Sequence, residues 1–149
     1  MPSHLPLDTL IELAKEHADT AARALGRLNQ ERQHAEKQLE LLRDYRNDYL
    51  TRLQKIMLSG MTASDCHNYQ RFITTLDDAI SQQVVSLEAL NVNLEKSRLH
   101  WQHQQRKLNA FDTLAQREAQ AARVVTERHE QRINDEHSTR LAGRRHSFY

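Results

Sequence analysis

Apolar and polar positions follow one another along this chain at a helical rhythm. Steps of four and three from Leu7 reach positions 7, 11, 14, 18, 21, 25, 28, 32, 35, 39, 42, 46, 49, 53 and 56. These hold Leu, Ile, Ala, Ala, Ala, Leu, Leu, Arg, Ala, Leu, Leu, Arg, Tyr, Leu and Ile. All but Arg32 and Arg46 are apolar or aromatic. Those two are expected to lay their methylenes along the stripe and put the guanidinium in water. The average step of 3.5 residues is the repeat of a left-handed coiled-coil seam. It predicts a first helix over about residues 7–58.

The stripe stops at Leu58, and Ser59-Gly60-Met61-Thr62-Ala63-Ser64-Asp65 follows. Gly60 suits the left-handed position that ends a helix. Thr62 to Asp65 reads as a capping box, with Ser64 as an alternative N-cap. A second stripe then runs through positions 66, 69, 73, 76, 80, 83, 87, 90, 94, 97, 101, 104, 108, 111, 115, 118, 122 and 125. Only Gln83, Ser97, Gln104 and Glu118 break it. It fades after Val125, since residues 126–142 offer only Ile133, Leu141 and Ala142. A short turn between two long helices makes an antiparallel hairpin.

The predicted fold is therefore all-α: two long helices in an antiparallel coiled-coil hairpin with a projecting or disordered C-terminal tail. Residues 1–149 form a single coiled-coil domain. Helix 1 covers about 7–58, the turn 59–64, helix 2 about 65–126 or longer, and a flexible tail reaches 149. Helix 1, at roughly 78 Å, can cover helix 2 only to about residue 117. Order is expected to be lost from about Glu127, because helix without tertiary contact is marginal in water. Gly143 is expected to mark the tail.

Composition narrows the picture in the same direction. The chain of 149 residues has 3 Gly and 2 Pro, and both prolines precede Leu7. A many-turn β or α/β fold needs far more turn formers. Gly26, inside helix 1, is read as a tolerated cost of about 1 kcal/mol against Ala. Lys and Arg number 21 against 20 Asp and Glu, for a net charge of +1. No block is basic enough to neutralise a run of phosphates, which argues against nucleic acid as a partner. No apolar run approaches the length of a membrane span, and the N-terminus lacks the pattern of a secretory signal. The single cysteine, Cys66, forms no internal disulfide and fits a reducing, cytoplasmic setting.

Nine histidines invite a metal reading. His100 and His103 share a face around Trp101, but no third ligand is in register and no H-E-x-x-H or C-x-x-C occurs. Neither phosphate-binding glycine motif is present, and a two-helix hairpin offers no concave pocket. No metal, cofactor or catalytic residue is assigned, and the chain does not read as an enzyme. Aromatic residues say more. Gln38, Leu42, Tyr45 and Tyr49 form a strip beside the first seam, and Phe72, Leu76, Ala79 and Gln83 one beside the second. In a hairpin pivoting near residue 61, position 49 pairs with about 73 and position 38 with about 84. The strips can then merge into one exposed aromatic patch near the turn, a candidate interface anchor.

Four stretches carry a family resemblance: Ala21-Ala22-Arg23-Ala24-Leu25-Gly26; Leu42-Arg43-Asp44-Tyr45-Arg46-Asn47-Asp48-Tyr49; Asn68-Tyr69-Gln70-Arg71-Phe72-Ile73-Thr74-Thr75-Leu76-Asp77-Asp78-Ala79-Ile80; and Lys107-Leu108-Asn109-Ala110-Phe111-Asp112-Thr113-Leu114. In order and spacing, from about residue 7 to 125, the chain resembles the FliJ family of flagellar export proteins. The resemblance implies a small cytoplasmic component of the flagellar type III export apparatus, peripherally associated with the inner membrane. It implies insertion into the ring of the export ATPase, promotion of ring assembly, and a link to the membrane export gate. Further implied partners are the ATPase regulator or stator protein and the export chaperones, in the service of flagellum biogenesis, motility and chemotaxis. By motif, the gate-binding face falls on Gln38, Leu42, Tyr45, Tyr49, Phe72, Leu76 and Ala79. Gln83 closes the strip by spacing, without a motif match.

Two other readings share the same helices. One is the stalk protein of a virulence-type secretion system. The other is a self-associating structural coiled coil, which predicts a concentration-dependent oligomer. The export reading predicts a monomer when free, because the chain satisfies its own seam.

Overall fold

A computed structural model describes the backbone of residues 6–146 and the side chains of 6–144. Among the described residues the chain is two helices and no strand: α1 (Leu7–Ser59) of 53 residues and α2 (Ala63–His146) of 84. The helices pack against each other as a hairpin. The Pro6 carbonyl opens α1 by accepting from the amides of Thr9 at 3.0 Å and Leu10 at 3.2 Å. Gly60 closes it with φ +92°, a left-handed conformation that side chains with a Cβ adopt at a cost. Thr62 is the N-cap of α2, and its Oγ1 accepts from the Asp65 amide at 3.2 Å. The helix therefore starts at Ala63, two residues ahead of the boundary estimated from the pattern.

Contacts divide the chain into two compact units, one of residues 18–103 and one pairing the start of α1, to His17, with α2 from Gln104. In the unit of residues 18–103, every seam position on both helices is buried or half-buried. Its core is Ala18, Ala21, Ala35, Leu39, Leu53, Ile73 and Leu76. Three of these seven are alanines on α1, whose small side chains let the α2 backbone come near.

In the other unit Ala14 is buried, while Leu7, Ile11, Leu108, Phe111 and Ala115 are half-buried. Coverage of the α2 seam ends there. Glu118, Ala122 and Val125 are exposed, as is every side chain from Val125 to Arg144. α2 runs on as helix through His146, the longer of the extents that the pattern allowed. Gly143 lies within this last stretch of helix. The stretch lacks an apolar stripe but holds good helix formers and no breaker before Gly143. The tail expected over residues 147–149 lies outside the described residues.

Candidate functional site

The aromatic strips sit in the unit of residues 18–103, on the side of the turn. Polar side chains set their register. Arg46 on α1 donates across the hairpin to the Asp77 carboxylate on α2. The Gln83 amide donates to the Ala35 carbonyl at 3.0 Å. These pairings imply a pivot close to Gly60, and Tyr49 meets Phe72 and Tyr69 across the hairpin, beside the partner position of about 73 that the spacing gives. The Tyr49 and Phe72 ring centroids lie 4.3 Å apart at an interplanar angle of 30°. Tyr69 is 5.9 Å from Tyr49 at 53°. Such offset and tilted geometry is favourable for aromatic rings. The Arg52 guanidinium also stands 5.9 Å from the Tyr49 centroid, within cation–π range.

The predicted strip divides by burial. Tyr45 and Phe72 are 56% and 42% exposed, large apolar surfaces held out from the hairpin. Gln38 is also exposed, and its amide hydrogen-bonds to the His34 ring at 3.1 Å along α1. Leu42, Tyr49 and Ala79 are half-buried at the margin. Leu76, 8% exposed, lies in the core behind this surface. Gln83 is half-buried, with its amide engaged inside the hairpin. The surface proper is thus Tyr45, Tyr49 and Phe72 with Gln38, Leu42 and Ala79, backed by Leu76 and Gln83.

Two members of the cluster escaped the strip reading. Tyr69 falls on the α2 seam and so reads as core. Its place three residues before Phe72, on the same helix face, was the available signal. Arg52 lies three residues after Tyr49 and could be found the same way. Arg32 and Arg46, expected to end in water, instead find partners. Arg32 bridges Glu36 at 2.8 Å and Asn29 at 3.1 Å on its own helix, and Arg46 meets Asp77. Cys66 is a free, half-buried seam residue.

The depression lined by Tyr49, Asn68, Tyr69 and Phe72 is shallow and open to solvent. Among the described residues no three His, Cys, Asp or Glu side chains converge as metal ligands. No helix there is long and apolar enough to cross a membrane. What the arrangement can do is present rigid aromatic rings, wedged between two helices, to another protein.

Fold and surface together define a class: a helical-hairpin protein with an exposed aromatic face. Comparison with known proteins narrows it. Residues 3–147 match the family described as "Flagellar FliJ protein". A flagellar FliJ protein of Salmonella typhi is 36% identical over 145 residues, covering 97% of this chain and 99% of the relative. That of Escherichia coli (strain K12) matches at the same identity and coverage. The chain belongs to the flagellar FliJ protein family.

Proposed function

We propose that this chain works in flagellar type III protein export, coupling the export ATPase to the membrane export gate. The reading has it act in the cytoplasm, peripherally at the inner membrane. It inserts into the ATPase ring and promotes ring assembly, meets the ATPase regulator, and binds export chaperones. Family membership over nearly the whole chain supports the flagellar setting and favours it over a virulence-type system.

The observation that carries the coupling role is the aromatic face. Tyr49 and Phe72 stack across the hairpin, and Tyr45 stands exposed one turn away on α1. Exposed, preorganised rings on a mostly polar surface are what a protein partner can bury at low entropic cost. In this reading Tyr45, Tyr49, Phe72, Gln38, Leu42 and Ala79 meet the gate, while Leu76 and Gln83 hold the face rigid from behind. The test is capture of the export ATPase and of the gate's cytoplasmic domain by the purified chain, with ATPase turnover measured alongside. The reading expects both to be retained and turnover to rise when the chain is added. Retention of neither, with turnover unchanged, refutes it.

A further inference from the structure

The unit of residues 18–103 carries a second apolar surface that neither the seam nor the aromatic strip uses. Val85, Val92 and Leu99 recur at seven-residue spacing on α2 and are 65%, 55% and 53% exposed. Ala89 lies between the first two and is also exposed. The half-buried seam of the same segment is Leu87, Leu90, Leu94 and Ser97. At about 100° per residue the two stripes lie on opposite sides of the helix. A helix of a single hairpin needs one apolar stripe, and this segment has two.

The stripe is self-complementary about Val92. In an antiparallel contact between two copies, with the two-fold axis at Val92, residues equally far before and after it meet. Val92 faces its own equivalent, and Val85 faces Leu99 of the second copy. Glu88, four residues before Val92, faces Lys96, four residues after. Both charged side chains are exposed, and neither has an ion pair or hydrogen bond among the described residues. The neighbouring Glu95 is already engaged, gripped by Arg98 at 3.0 and 2.5 Å. A two-fold contact uses one patch twice, so an apolar centre flanked by one free carboxylate and one free ammonium closes without an unpaired charge.

We infer that Val85, Val92 and Leu99, with Glu88 and Lys96, form a self-association surface on which a second copy of this chain docks antiparallel. The seam stays satisfied within each chain, so the dimer is concentration-dependent. It departs from the monomer expected from the seam alone. The aromatic strip lies on a different face of α2 and stays available in the pair.

Sedimentation equilibrium of the full chain tests this. The weight-average mass should climb from 17.5 kDa toward twice that value as concentration rises. Val92→Glu, at a solvent-facing position, should hold the mass at the monomer value while circular dichroism stays unchanged. Glu88→Lys and Lys96→Glu should each weaken the dimer, and the two together should restore it. A wild-type chain that remains monomeric at its highest soluble concentration overturns the proposal. So does a dimer that persists in Val92→Glu, or a charge-swapped double variant no better than either single one.

Discussion

Single residues decide how this hairpin closes, and the glycines show it. Gly26 lies in the interior of α1, exposed, and a Cβ built there meets nothing within 4 Å. No close approach explains it, so only the helix cost remains. Gly26→Ala should therefore stabilise the protein by about 1 kcal/mol, read as a higher midpoint in urea. Gly60 also has open space around it, but its φ of +92° is hostile to a Cβ. Gly60→Ala should destabilise by about 1–2 kcal/mol in the same assay. Opposite signs at two equally uncrowded glycines would separate backbone conformation from packing. The polar seam residues teach a related point. The heptad rhythm located Arg46 and Gln83 correctly at the interface. It could not reveal that their polar ends would reach Asp77 and the Ala35 carbonyl, because that depends on the register of the other helix.

Among the elements, the seams were sharply legible in the sequence, and the extent of α2 only as a lower bound. Both stripes, the Gly60 stop and the Thr62 cap were visible because each rests on local rules of periodicity and capping. The fading apolar stripe after Val125 marks where burial ends, not where the helix ends. The stripe reports burial; helicity also follows from residue propensity, and residues 126–142 are rich in helix formers. The aromatic site was legible to the level of the strip. Burial then placed Leu76 in the core and brought in Tyr69. The α1 seam also has an energetic signature. Ala18, Ala21 and Ala35 are buried where a coiled coil commonly carries larger residues, and Ala21 is the most enclosed of them at 3% exposed. Ala21→Leu should overpack the seam and destabilise by about 1–3 kcal/mol, with helicity retained at low temperature. A midpoint equal to wild type would mean that the helices are not held closely there.

For the whole molecule, function follows from what the thin core leaves outside. With a net charge of +1 and no buried polar residue among those described, long-range electrostatics and a polar interior contribute little to partner choice. Recognition falls to exposed apolar surface on a polar background. The unit of residues 18–103 carries two such surfaces, the aromatic face near the turn and the outer stripe of α2. The helix from Val125 to Arg144, exposed at every side chain, is a third length of chain open to a partner. Arg46–Asp77, half exposed, adds on the order of 0–1 kcal/mol and serves mainly to fix the register that aligns Tyr49 with Phe72.

In the proposed coupling role, the exposed rings near the turn grip the export gate. The direct measurement is the affinity of the full chain for the gate's cytoplasmic domain, wild type against Tyr45→Ala/Phe72→Ala, with circular dichroism of both. Both side chains are exposed, so the double variant should keep its helicity. Its affinity should fall about tenfold or more, equivalent to about 1.4 kcal/mol. Unchanged affinity in a fully helical variant would contradict it.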